Sequence, residues 1–244
     1  MRKLGYTGLV TGIERRLLLK RSLSLGALTM LTGCDISDGD TVQRALRAMS
    51  NWNDRAQALL FSRNRLAPTF GEADWAADFR WNAFGPRDMT PKITARDYRL
   101  EFAGLVGNKR PWRYREFAAL PHESQITRLV CVDGWSMIGK WNGTPLRMFL
   151  ERVEADLTAR YVGFACEDGY YESLDMPTAL HPQTMMAFGY GNGRLGEDYG
   201  YPMRIRVPTK LGFKQPKWVT SIYVTNRYPG GFWSDRGYNW FSGS

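Results

Sequence analysis

Few of the side chains able to do redox or metal chemistry in this 244-residue sequence stand where they could act together. The chain has three cysteines, Cys34, Cys131 and Cys166, and two histidines, His122 and His181. Two isolated histidines are too few for a zinc or di-iron site built from protein ligands alone, so a catalytic metal would have to arrive with a cofactor. Cys131 is the thiol best placed to act. It lies in the run RLVCVDGWSMIGKW (128–141), at the end of an apolar strand and just before a turn containing Asp133, Gly134 and Trp135. A thiol there can present its sulfur to a ligand, although free cysteine is often a small core residue. With Cys34 set aside, Cys131 and Cys166 are too few for a disulfide framework in a domain of this size, but one bridge or one redox pair between them stays open.

The elements that would position Cys131 follow from periodicity. Residues 41–61 repeat apolar positions at helical spacing (Val42, Leu46, Met49, Ala56, Leu59, Leu60) among Arg, Gln and Asn, which reads as a helical spacer with a largely solvated face. After Pro68 the pattern changes to short strands and turns. Tyr98, Leu100 and Phe102 alternate with charged residues, 126–132 is a buried strand, and 161–166 and 170–174 are strands flanking a turn at Asp168 and Gly169. Further strands are expected over 184–188, 203–207 and 219–225, short helices over 112–120 and 145–153, and a turn at Asn142 and Gly143. Short strands with interspersed short helices and no regular βαβ alternation define an α+β domain of mixed sheets. No internal repeat is present.

The first residues read as an address. Arg15 and Arg16, followed by Leu17, Leu18, Leu19 and Lys20, lead into an apolar run over 23–31 that is too short for a permanent membrane span. This order resembles a twin-arginine export signal, with Glu14 where such signals usually carry Ser or Thr. The segment closes on Leu31, Thr32, Gly33 and Cys34, which resembles a lipoprotein cleavage box, so the mature chain is expected to begin near Cys34 with a lipid tether there. Residues 1–33 would be the signal, 34–68 the helical spacer and 69–244 the catalytic domain. The signal holds six of the 33 basic residues and one of the 24 acidic ones, so the remainder carries +4 rather than +9. That modest charge, outside the cytoplasm, argues against a nucleic-acid partner.

From about residue 70 to residue 227 a set of motifs occurs in one order: VCVDGWS around Cys131, WNGTPL (141–146), YVGFAC (161–166), HPQT (181–184), YGYPMRIRVP (199–208) and LGFKQPKWV (211–219). Together they resemble the molybdopterin domain of the sulfite oxidase family, and within it the periplasmic molybdenum-dependent methionine sulfoxide reductase catalytic subunits and their uncharacterised homologues.

The resemblance implies a sulfite-oxidase-like fold and a molybdenum cofactor whose metal takes Cys131 as a thiolate ligand. It places Arg204, Lys214, Gln215, Pro216 and Lys217 around the pterin phosphate, a dianion suited to cations and backbone N–H groups. Asn82, in FRWNAFG, matches an asparagine that hydrogen-bonds the pterin, and Cys166 stands where a pterin-contacting threonine is usual. Tyr199 stands where some relatives carry Asn or His. Trp135, Tyr170, Tyr171, Glu172 and His181 are candidate liners of a small-substrate pocket.

The implied activity is a two-electron oxygen-atom transfer on a small-molecule substrate, with reduction of a sulfoxide favoured over oxidation of sulfite. Sulfite oxidases surround the cysteine with arginines, whereas here its neighbours are Val130, Val132 and Asp133. Without a haem-attachment motif in the sequence, electrons would come from a separate membrane haem protein or cytochrome. The sequence runs only a short way past the 219–225 strand, so a monomer is expected. Two rivals remain: a cofactor-free binding lipoprotein on the same fold, and a thiol enzyme using Cys131 and Cys166. The aromatic tail over 231–244 is too apolar for a free end and should pack on the domain or on a partner.

Overall fold

The computed structural model describes residues 40–62 and 64–243, which fall into two units with the break after Trp52. The signal-like segment and Cys34 lie outside the described residues. Helix α1, Asp40–Leu60, covers the helical periodicity expected over 41–61, and Leu46, Met49, Trp52, Leu59 and Leu60 along it are exposed. Among the described residues no helix is long and apolar enough to cross a membrane.

The unit from Asn53 onward is built on two five-stranded sheets. The first runs in the order β2 (Trp112–Arg113), β1 (Arg99–Gly104), β10 (Val219–Thr225), β5 (Tyr161–Cys166), β6 (Tyr171–Asp175), with β1 and β10 parallel and the other neighbours antiparallel. The second joins β3 (Glu123–Val130), β4 (Ser136–Pro145), β7 (Met185–Tyr190) and β8 (Gly193–Arg194), with β9 (Arg204–Arg206) also on β7. Helices α2 (Tyr114–Ala118) and α4 (Met176–Ala179) pack on strands of the first sheet and α3 (Leu146–Arg152) on β4 and β7 of the second. Seven residues cannot hold a helix in water, so α3 exists because Leu146, Phe149 and Leu150 are fully buried on one face. Phe149 meets the rings of Phe102 and Trp112 at 5.4 and 5.3 Å. A smaller cluster of Phe79, Leu129, Trp141, Met185, Ala187 and Leu195 packs on the second sheet.

The turn expected at Asn142 and Gly143 is not there. Both residues lie inside β4, at a bulge in its pairing with β7. The missing Cβ serves a close approach of two backbones, since a Cβ at Gly143 would stand 1.9 Å from the Met186 carbonyl oxygen. The aromatic tail packs on its own domain. Phe241 is buried, its N–H donates to Asp54 Oδ1 at 2.7 Å, and Leu211 N–H donates to the Ser242 carbonyl at 3.1 Å. Gly143→Ala should lower unfolding free energy by about 2 kcal/mol by overpacking this strand pair, read from the urea midpoint at unchanged slope.

Candidate functional site

Cys131 follows directly on β3. Its N–H donates to the Trp135 carbonyl at 2.8 Å and its own carbonyl accepts from Gly134 at 3.2 Å, which closes the turn that Gly134 permits with φ 87. Cys131 lines a half-open cleft with a cavity volume of about 140 Å3. Around it stand 82–84, 131–133, Asp168, Tyr170, Arg204, 212–213, 215–217, Trp233 and Tyr238. Burial pushes the Cys131 thiol up, the amides of Asp133 and Val132 oppose that, and the Asp133 carboxylate adds to it. Sγ donates to Asp133 Oδ2 at 3.3 Å, so the thiol proton is held locally.

Strand β9 turns two arginines to one side, because residues i and i+2 of a strand share a face, and Arg204 lines the cleft with Cys131. Arg204 and Arg206 are fully buried. Arg206 donates to Gln215 Oε1 and the Arg128 carbonyl, both at 2.5 Å, and to Thr127 Oγ1 at 3.2 Å. Arg204 donates to the Tyr199 carbonyl at 3.1 Å, and its guanidinium lies 5.0 Å from the Trp141 ring centroid. Lys217 Nζ donates to the carbonyls of Asn82 and Asp198. Gly200, at φ 108, lets both chains pass, since a Cβ there would stand 3.0 Å from Arg204 Cβ and from Lys217 Cβ.

None of these three cations pairs with a carboxylate among the described residues. Burial drives Arg204 and Arg206 down to about 9, with their mutual repulsion helping in Arg206, and Lys217 down to about 7. The Nε atoms of both arginines and Asn82 Oδ1 are buried without a partner. Buried charge without a counter-charge is costly, and Arg204 and Lys217, which line the cleft, therefore suit a multiply charged anion reaching in from it. Among the described residues no three His, Cys, Asp or Glu side chains cluster to hold a metal by themselves. A single thiol beside an anion cradle thus fits a metal whose remaining ligands belong to a phosphate-bearing cofactor.

Of the residues singled out by sequence, Asn82, Cys131, Arg204, Gln215, Pro216 and Lys217 line this one cleft. Lys214, expected at the phosphate, instead turns into the protein and ion-pairs with Glu172 at 2.5 Å, both fully buried. Cys166 is buried at the end of β5 outside the cleft lining, a free thiol like Cys131, with burial pushing it well up. Tyr199 contributes its carbonyl to Arg204 while its ring packs on Phe79 at 5.1 Å. Of the candidate pocket liners only Tyr170 faces the cleft. Glu172 is taken by Lys214, the Tyr171 hydroxyl donates to Asp235 at 2.7 Å, and Trp135 lies under Arg80. His181 is fixed between the Arg65 carbonyl and the Gln183 amide, a structural role. Sequence reasoning missed Arg206, whose signal was its i+2 spacing from Arg204. It also missed Phe84, Asp168, Phe213, Trp233 and Tyr238, which only tertiary folding assembles.

Comparisons with known proteins give the family. The family model described as oxidoreductase molybdopterin binding domain matches residues 87–233, and the chain belongs to that family. It is a molybdopterin-dependent oxidoreductase with the α+β sulfite-oxidase-like fold expected from its motifs. A relative from Azospira oryzae, named as a protein-methionine-sulfoxide reductase subunit, YedZ1, is 50% identical over 230 residues, 94% of this chain and 88% of the relative. The protein-methionine-sulfoxide reductase catalytic subunit MsrP of Ralstonia nicotianae is 35% identical over 173 residues, 64% of this chain. The aligned stretch spans 52% of that relative's length. Among solved structures, the sulfane dehydrogenase SoxCD from Paracoccus pantotrophus superimposes with a TM-score of 0.53 at 19% identity, over 57% of this chain and 40% of that one.

Two buried lysines outside the cleft give stability predictions. Lys214→Met should cost about 3–5 kcal/mol by leaving Glu172 buried and unpaired, and the double variant Glu172→Leu/Lys214→Met should recover most of that in a urea melt. Lys210 has no hydrogen-bond partner for Nζ, and burial lowers it to about 7. Between that value and about 10.4 the unfolded chain holds a proton that the folded chain does not, so stability rises with pH across this window. Lys210→Met should therefore be the more stable protein at pH 6, by on the order of 2 kcal/mol, and the gap should close as pH approaches 10.

Proposed function

We propose that this chain reduces a sulfoxide to the thioether, as the molybdenum-bearing subunit of an exported system. The observation that carries the reading is the joint placement, in one cleft, of the Cys131 thiol, buried cations without carboxylate partners, and a carboxylate beside the sulfur. Arg204 and Lys217 would hold the phosphate of the pterin, Asn82 and the 215–217 loop its other polar edges, and Cys131 the molybdenum. When bound, the cofactor supplies the two-electron step that takes the oxygen from the substrate sulfur. The chain's own part is to exclude bulk water, fix the metal-ligating thiolate and place Asp133 next to it. With the deep cations engaged by the cofactor, Asp133 repels an anion such as sulfite but not a neutral, dipolar sulfoxide. The Tyr170 hydroxyl donates to the Phe213 carbonyl at 2.7 Å, and Asp133 is the carboxylate in contact with the Cys131 sulfur.

The names of the relatives, protein-methionine-sulfoxide reductase subunits, support the same substrate class. The twin-arginine-like and lipobox-like residues over 15–34 support export to the periplasm, with a tether at Cys34. A separate haem protein or cytochrome would deliver the electrons.

Protein purified from a host that makes the cofactor should carry about one molybdenum per chain and reduce methionine sulfoxide with an artificial electron donor. Cys131→Ser should lower that activity by at least about a thousandfold, whereas Cys166→Ser should change it only modestly. Metal-free protein whose activity needs both thiols would sink the proposal.

A further inference from the structure

The aromatic tail over 231–243 is pinned at both ends. At its start Gly231 lies flush on Glu172, where a Cβ would stand 2.2 Å from Oε1, and Phe232 N–H donates to the Tyr171 carbonyl at 2.9 Å. At its end Trp240 Nε1 donates to Ser173 Oγ at 2.9 Å, and Phe241 N–H is held by Asp54. Between the pins the chain turns at Gly237, with φ 100, and Trp233 and Tyr238 reach into the Cys131 cleft.

There they complete a curved row of rings. Phe213 and Tyr238 lie 5.9 Å apart, Tyr238 and Trp233 5.3 Å, and Trp233 and Phe232 5.3 Å. Phe232 then backs both Tyr170 at 5.4 Å and Phe84 at 4.6 Å. Five of these six rings line the cleft, which Cys131 and Asp133 also line. Tyr238 is 42% exposed although it packs on two other rings.

We propose that this strap, through Trp233 and Tyr238, is the specificity wall of the site and grips the non-reacting part of the substrate. The ligand it suits is an unbranched alkyl methyl sulfoxide of methionine type. Ring faces offer good contact to methylene groups and to a polarisable thioether sulfur, and none to a small polar oxyanion. The inference rests on the sulfoxide reading and adds which part of the protein selects among sulfoxides. The strap acts on the remote alkyl chain, so its contribution appears for a long substrate and not for one that lacks the chain.

The test compares N-acetylmethionine sulfoxide methylamide with dimethyl sulfoxide on the molybdenum-loaded full chain. Trp233→Ala and Tyr238→Ala should each lower the ratio of kcat/KM for the long substrate over the short one about tenfold, chiefly through KM for the long one. Trp233→Phe should restore most of the ratio. Thermal melting identifies a variant that fails to fold, and the exposed Tyr238 supplies a second, milder lesion. If both substrates lose equally, or neither loses, in folded and loaded variants, the wall is wrong and the sulfoxide reading stands. Fully loaded wild-type protein inert to both sulfoxides overturns the sulfoxide reading, and the wall falls with it.

Discussion

Burying a guanidinium without a carboxylate is among the more costly things a fold can do, and β9 does it twice in three residues. Carbonyls, one amide side chain and the face of Trp141 only partly offset the cost. Much of the site is arranged around this constraint. Arg206 ties the Arg128 carbonyl, three residues before Cys131, to Gln215 in the loop that carries Lys217. The loop in turn runs against the end of β3, since a Cβ at Gly212 would lie 3.4 Å from the Val130 carbonyl oxygen and 3.8 Å from Cys131 Cα. The thiol and the anion cradle are therefore held in register by the same charged groups that need an anion.

The contrast with Lys214 shows why pairing, rather than burial, separates binding cations from structural ones. Lys214 is as buried as Arg204, yet it sits on Glu172 and against the Trp240 ring at 4.7 Å. Its charge is answered within the protein, and it has nothing left to offer a ligand. Lys210 stands between the two cases, facing the rings of Phe61 and Phe241, which attract a cation but do not neutralise it. Both lysines brace the C-terminal strap, whereas Arg204 and Lys217 open onto the cleft.

Much of the fold was legible because its strands are short, apolar and bounded by turn residues. The range 219–225 is reproduced without change as β10, and 161–166 as β5. Asn142 and Gly143 misled because the local turn signal of an Asn-Gly pair and the need for a glycine at a crowded bulge leave the same letters in the sequence. Lys214 misled for a related reason. Spacing groups Arg204, Lys214 and Lys217 as one basic set, but the 3-10 turn over Gly212–Lys214 points the lysine to the opposite side from Lys217. Of the aromatic row only Tyr170 was read as a pocket liner, and the tail only as packing somewhere, since Phe84, Tyr170, Phe213 and Trp233 come from four distant parts of the chain.

The two thiols show how environment, and not residue type, separates function from packing. Cys166 ends a sheet-bound strand, where burial and the carboxylates of Asp168 and Glu172 hold it protonated and shut off from the cleft. Cys131 lies one residue past its strand, on a turn whose amides face the sulfur and can stabilise a thiolate once a cation arrives. A metal held there would share the cleft with Arg204 and Lys217 and have the Asp133 carboxylate beside its thiol ligand. Such an arrangement can hold an anionic cofactor deep in the cleft while turning anionic substrates away at the mouth. Opposite signs of charge at two depths of one cleft thus let a cationic cradle and a neutral substrate share a single site.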